Sequence, residues 1–240
     1  MNDELERLKE DKKARRRRLT ERLETLRERL GLIEAELTSY TNDFFRVCIF
    51  GSARIKPEDE IYKVTKQLAF ALGQQGIDVL TGGGQGLMEA ANIGVREGKK
   101  ASGSRSKSFG ITIELNKFEQ PSEHLDVKHH HKKFSSRLDD FMRLSNAIIV
   151  VPGGIGTVLE LFFSWQLLQV GHMSERPIVL YNRTFWEGII EWMKEIQITA
   201  GLVSPGDLRW IHLVDTAEQA VEIITAEHAK FAERLAARGK

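Results

Sequence analysis

The 240-residue chain has a single cysteine, five prolines and no uninterrupted apolar run near the roughly 18 residues that a membrane span requires. One cysteine excludes an internal disulfide framework, and its place in Val47-Cys48-Ile49-Phe50 reads as a buried structural thiol in a reducing compartment. The N-terminus is charged where a secretory signal would be apolar, so a cytoplasmic protein with no membrane partner is expected. Neither sign of charge dominates. The 35 Lys and Arg against 34 Asp and Glu leave a formal charge of +1, which points to no class of partner. Two phosphate-site signatures are also missing. Gly82 and Gly84 are followed by Leu87 where G-x-G-x-x-G needs its last glycine, and no glycine turn runs into the Gly-Lys-Ser/Thr of a P-loop. Simple dinucleotide-dehydrogenase and NTPase readings are thereby disfavoured.

What is present falls into two parts. Residues 1–43 are rich in Glu, Arg, Lys and Leu and free of proline. Leu19, Leu23, Leu26, Leu30, Ile33 and Leu37 step by four and three, the a/d repeat of a coiled-coil or packing helix. The basic run Arg15 to Arg18, with Lys12 and Lys13, is interleaved with acidic residues, so it reads as a solvated helix face rather than a nucleic-acid surface. This part is expected to be a docking or oligomerisation helix.

Residues 44–240 alternate strand, turn and helix, which predicts an α/β domain with a Rossmann-like, doubly wound, mostly parallel sheet. Strands are expected at Arg46–Phe50, Ile77–Leu80, Phe109–Ile113, near Leu125–Lys128, at Ala147–Val151, Ile178–Tyr181 and Ile211–Val214. Helices are expected over 58–74, from the second glycine turn onward, over His129–Leu144, Gly156–Val170 and Trp186–Ile198, and from about Ala217. Gly98–Ser108 reads as a polar loop, and a second loop runs through Pro121.

Three glycine-bearing turns follow strands, after Phe50, Leu80 and Val151. In an open parallel sheet ligands bind beyond the carboxyl ends of the strands, so all three turns can meet at one crevice. The last is the most informative. Ala147–Val151 is an apolar strand, and Pro152-Gly153-Gly154-Ile155-Gly156-Thr157 brings the chain to a helix start, where free N–H groups and the positive dipole end attract an anion. Glu160 follows one turn later. Glu89 opens a helix beside the second turn, and it is either a favourable first-turn charge or a substrate contact; Asn92 is similar. His129-His130-His131 lacks metal-ligand spacing, because adjacent residues point in different directions.

Pro152-Gly153-Gly154-Ile155-Gly156-Thr157-Val158-Leu159-Glu160 resembles the P-G-G-x-G-T-x-x-E motif of the LOG family, the cytokinin riboside 5′-monophosphate phosphoribohydrolases long mislabelled as lysine decarboxylases. Gly82 to Asn92, the turn Phe50-Gly51-Ser52-Ala53-Arg54, and Arg137, fifteen residues before the motif proline, add to the resemblance, which spans roughly residues 45–230. It implies a Rossmann-like homodimer that hydrolyses the N-glycosidic bond of a nucleoside 5′-monophosphate, releasing base and ribose 5-phosphate. On that likeness Arg137 and Glu160 are the catalytic pair, and Gly153, Gly154, Gly156 and Thr157 hold the phosphate. Gly51, Ser52, Gly83 and Gly84 line the sugar and base side, with Glu89 and Asn92 as further contacts. No metal or organic cofactor is implied, and a non-catalytic carrier of nucleotide or molybdenum cofactor on the same fold is the alternative.

The chemistry agrees independently. Cleavage of a ribosyl C–N bond passes through an oxocarbenium-like state that a carboxylate beside the ribose stabilises, and an arginine fork suits a phosphate or that carboxylate. Two positions depart from the family pattern. Arg137 is followed by Leu138 rather than lysine, and the frequent Glu-Glu pair is Leu159-Glu160. Lys132 or Lys133, one turn upstream, and Arg143 further along are the candidates to replace the missing cation.

Overall fold

A computed structural model of the chain describes residues 12–13, 15–26, 29–30, 33, 43–113 and 122–238. Leu37 of the N-terminal repeat and Pro121 lie outside the described residues. The chain divides into two units, 1–43 and 44–240. In the first, the described residues between 12 and 33 are helical, and Leu19, Leu23, Leu26, Leu30 and Ile33 are each about half exposed.

The second unit is a seven-stranded parallel sheet in the order β4-β3-β2-β1-β5-β6-β7. Its strands are β1 (Arg46–Phe50), β2 (Asp78–Thr81), β3 (Ser108–Ile113), β4 (Val127–His131), β5 (Ala147–Val150), β6 (Ile178–Tyr181) and β7 (Ile211–Val214). The helices are α1 (Glu60–Gln74), α2 (Leu87–Ser102), α3 (Phe134–Leu144), α4 (Ile155–Gln169), α5 (Arg183–Trp192) and α6 (Ala217–Arg238). The expected α/β, Rossmann-like fold is the observed one.

The central strands β1, β5 and β6 are buried on both sides because both sides are covered. Side chains alternate along a strand. Val47 and Ile49 of β1 therefore join Val79, Ile149 and Val179 in one core with Leu68, Leu72, Leu87 and Ile224 from α1, α2 and α6. Cys48 and Phe50 enter a second core with Ile148, Val150, Phe141, Leu161 and Trp186, from β5 and helices α3, α4 and α5. Burying each Ile, Leu or Val contributes roughly 1.5–3 kcal/mol. The strand order reverses between β1 and β5, and that switch point opens a crevice beyond their carboxyl ends.

Three local expectations are corrected. His129–His131 is the end of edge strand β4, not the start of a helix. Its backbone pairs with β3, with Ile111 opposite His129 and Ile113 opposite His131, and the helix begins only at Phe134. Helix α2 runs through the supposed loop to Ser102 and stops at Gly103, whose left-handed φ of 72° ends it. The helix after β6 starts at Arg183, capped by the Asn182 side chain accepting from Phe185 N, and from Met193 to Ile198 it widens into a π-turn. No helix among the described residues is long and apolar enough to cross a membrane.

Candidate active site

The three glycine turns meet. Ser52 N donates to Pro152 O at 3.2 Å, joining the turn after β1 to the one after β5, and Leu87 N donates to Ser52 O at 2.9 Å, joining it to the start of α2. Gly51 is pressed against Val151, where a Cβ would strike the valine side chain. Gly83 is buried and left-handed (φ 72°), a conformation favouring glycine; its N–H donates to Thr81 Oγ1 at 3.0 Å and its carbonyl accepts from Ser122 N at 2.8 Å. Gly84 beside it is buried too.

Helix α4 begins in the open. Gly154 is its N-cap and supplies no side-chain hydrogen bond, so the N–H groups of Ile155, Gly156 and Thr157 have no intrahelical acceptor. Space lies free around Gly154 and Gly156: a Cβ added at either would meet nothing within 4 Å. Thr157 is buried, and its side chain packs against Gly153. This bare, positive helix end suits an anion.

Arg137 reaches the site from α3. Its Nε donates to Ile111 O at 2.8 Å, its Nη2 to Gly82 O at 3.4 Å, and its guanidinium lies 5.2 Å from the Phe141 ring centroid. Arg137 Nη1 then stands 3.8 Å from Glu160 Oε1. Both side chains are only 13% exposed. Burial raises the Glu160 carboxyl to about 7, with the charge of Arg137 opposing the rise. Cys48, buried in β1, is within electrostatic reach of the pair. Burial pushes its thiol well up, and Glu160 adds to that while Arg137 opposes it.

The remaining candidates separate. Glu89 sits half-buried in the first turn of α2. Asn92 is fully buried, its Oδ1 accepting from Thr81 Oγ1 at 2.9 Å and Ser108 Oγ at 3.2 Å, which ties α2 to β2 and β3. Lys132 and Lys133 are exposed, and Arg143 is held by Asp140 through two N–H groups. His129 Nδ1 and His131 Nε2 each lie 3.1 Å from Asp140 Oδ2. Burial pushes that carboxyl up, but its hydrogen bonds to His129, Arg143 and His131 outweigh this and hold it well below the usual carboxylate range. Among the described residues no group of three or more His, Cys, Asp or Glu is arranged to hold a metal ion.

Sequence reasoning missed three parts of the site. Gly82 leaves room for the Arg137 guanidinium, since a Cβ there would meet both Arg137 Nη2 and Met88 Sδ. Ile111 contributes only its carbonyl, and Phe141 only its ring face. A backbone carbonyl has no sequence signature, and an aromatic in an amphipathic helix looks like any core residue.

Residues 88–224 match the family described as "Possible lysine decarboxylase". A protein of Oryza sativa subsp. japonica named "Probable cytokinin riboside 5′-monophosphate phosphoribohydrolase" is 27% identical over 197 residues, covering 80% of this chain and 89% of that protein. A cytokinin riboside 5′-monophosphate phosphoribohydrolase of Mycobacterium tuberculosis is 33% identical over 78 residues, covering 32% of this chain and 41% of its own. Among solved structures, the molybdenum cofactor carrier protein of Chlamydomonas reinhardtii superposes with a TM-score of 0.56 at 18% identity, covering 78% of this chain and 99% of that one. That degree of likeness shows the fold alone. With the family match spanning more than half of the chain, the chain belongs to the LOG family, the group still described as possible lysine decarboxylases.

Proposed function

We propose that the chain hydrolyses the N-glycosidic bond of a nucleoside 5′-monophosphate to free base and ribose 5-phosphate. The observation that carries this reading is the buried Arg137–Glu160 pair, 3.8 Å apart, beside the uncapped start of α4. The 5′-phosphate sits on the N–H groups of Ile155, Gly156 and Thr157, with room supplied by Gly154 and Gly156. The ribose then lies toward Glu160. As the C1′–N bond breaks, its electron pair leaves with the base, and positive charge grows on the sugar. Glu160 faces that charge as a carboxylate and takes the proton from the water whose OH adds to C1′; the departing base nitrogen takes up a proton, and Glu160 gives its own back to solvent. A carboxyl titrating near 7 is matched to giving and taking protons at neutral pH. Arg137, held by the Ile111 and Gly82 carbonyls, places its positive charge beside Glu160 and turns its remaining donor surface to the substrate.

The names borne by the rice and mycobacterial relatives support this chemistry, and cytokinin riboside monophosphate or AMP is the substrate class. The working unit in this reading is a homodimer. Ile155 is 91% exposed and Leu159 49%, one turn apart on α4, and a second copy is the natural cover for that apolar stripe. The N-terminal helix, with its half-exposed leucine repeat, serves docking or further oligomerisation.

The test is incubation of the purified chain with a panel of nucleoside monophosphates, followed by assay for free base and ribose 5-phosphate. Product from at least one monophosphate supports the reading. Tight nucleotide or molybdenum-cofactor binding with no product from any would replace it with a carrier function, the role named for the Chlamydomonas protein on this fold.

A further inference from the structure

We propose that a cleft at the opposite edge of the sheet, below the N-terminal ends of β6 and β7, is a second anion site that takes a phosphoryl polyanion. The cleft has a volume of about 420 Å³, within the range of small-ligand pockets. Three segments build it: the approach to β6 at Glu175-Arg176-Pro177, the approach to β7 at Arg209-Trp210, and one face of α6. It is independent of the candidate active site, which lies beyond the carboxyl ends of the strands.

The charges on its walls do not balance. Arg176, Arg209, Lys230 and Arg234 face two carboxylates, Glu175 and Glu227, which leaves two positive charges with His212 neutral. The whole chain carries only +1, so the excess is local. Glu227 is shared, lying 2.9 Å from Arg234 and 3.4 Å from Lys230. The Arg209–Glu175 contact at 3.0 Å joins two side chains that are each more than half exposed, a pair that opens at little cost.

Arg176 adds positive charge to the wall, although no carboxylate pairs with it and its N–H groups are already engaged. Its guanidinium donates to Met142 O, to Ser145 O and Oγ, and to Ser174 O and Oγ, all neutral groups. Burial lowers it to about 10, the mark of a cation removed from water without a counter-charge. His212 is lowered as well, by burial and then by Lys230. Arg209 is held by the Trp210 ring, with 3.9 Å from its guanidinium to the centroid, and by the Gly206 carbonyl, which accepts from its Nη1 at 3.1 Å. Trp210 is therefore covered, so the cleft recognises charge and not a stacked base. The Arg209 fork beside the exposed Lys230 and Arg234 matches phosphoryl oxygens better than a single carboxylate.

The test is calorimetric titration of the full chain with inorganic pyrophosphate and, separately, with ATP, in a Gly156→Asp background. That substitution closes the α4 N-terminus to anions, and its side chain enters open space. Saturable binding that weakens with salt and falls at least about tenfold in an added Arg209→Ala/Lys230→Ala double variant is expected. Both side chains are more than half exposed, so their loss leaves the fold intact. Lys230→Glu is expected to weaken binding further. Pyrophosphate binding without ATP binding identifies a free anion as the ligand, and binding of both identifies a nucleotide phosphate chain; either supports the site. No saturable binding of either, or undiminished affinity in the double variant and in Lys230→Glu, overturns it.

Discussion

Arg137 Nη1 and Glu160 Oε1 face each other at 3.8 Å inside a site that excludes most water, although they come from different helices and from opposite sides of β5 in the chain. The separation is too long for a hydrogen bond, so Arg137 tempers the cost of burying Glu160 without cancelling it. The carboxyl consequently titrates near 7.

That balance predicts a measurable trade between stability and activity. A carboxyl whose folded value lies above its ordinary 4.5 favours folding when protonated, and this advantage is lost as pH rises from 4.5 through 7. Glu160→Gln keeps the neutral form at all pH. The variant should be more stable than the parent by up to about 3 kcal/mol at pH 8, with the difference vanishing near pH 4.5. Urea unfolding at the two pH values checks this. Release of ribose 5-phosphate should be lost in the same variant.

Arg137→Lys should lower turnover by roughly a hundredfold or more, since an ammonium cannot reach Ile111 O, Gly82 O and Glu160 together. Gly82→Ala approaches the same defect from the other side. Its new methyl group meets the Arg137 guanidinium and Met88, both able to shift, so the fold should lose only about 1 kcal/mol while turnover falls roughly tenfold to a hundredfold. Steady-state kinetics with a thermal melt separates the two effects; unchanged turnover in Gly82→Ala would show that Arg137 needs no fixed seat.

Asn92 offers a contrast. Removing its side chain leaves the Thr81 and Ser108 hydroxyls without their acceptor inside the core. Asn92→Ala should therefore cost about 2–3 kcal/mol in chemical denaturation. If stability is unchanged and only the KM rises, Asn92 belongs to the substrate instead.

The dimer reading rests on the apolar stripe of α4. Leu159→Arg places a charge on it without touching the core, as Leu159 is half exposed. Light scattering should show the molecular mass of the domain halved. An unaltered mass would move the interface elsewhere.

Most of the fold was legible in the chain because its signals are local. The apolar strands, the glycine turns that follow them and the leucine repeat of the N-terminal helix each lie within a few residues, where steric and periodic rules act. His129–His131 misled because three like residues carry no period, and only pairing with β3 made them a strand. The supposed loop after Gly98 misled because Lys99, Lys100 and Ser102 are polar, yet they extend α2 as far as Ser102, where Gly103 ends it.

The sequence by itself determined the α/β architecture, the family motif and the open helix start at Gly154 to Thr157. It also named Arg137 and Glu160. Tertiary structure decided the rest. Strand order put the three turns at one switch point, the Ile111 and Gly82 carbonyls held Arg137 in place, and burial between helices and sheet raised Glu160 to near neutrality. Distance across the sheet and removal of water depend on segments far apart in the chain, so no stretch of residues read alone could have announced them.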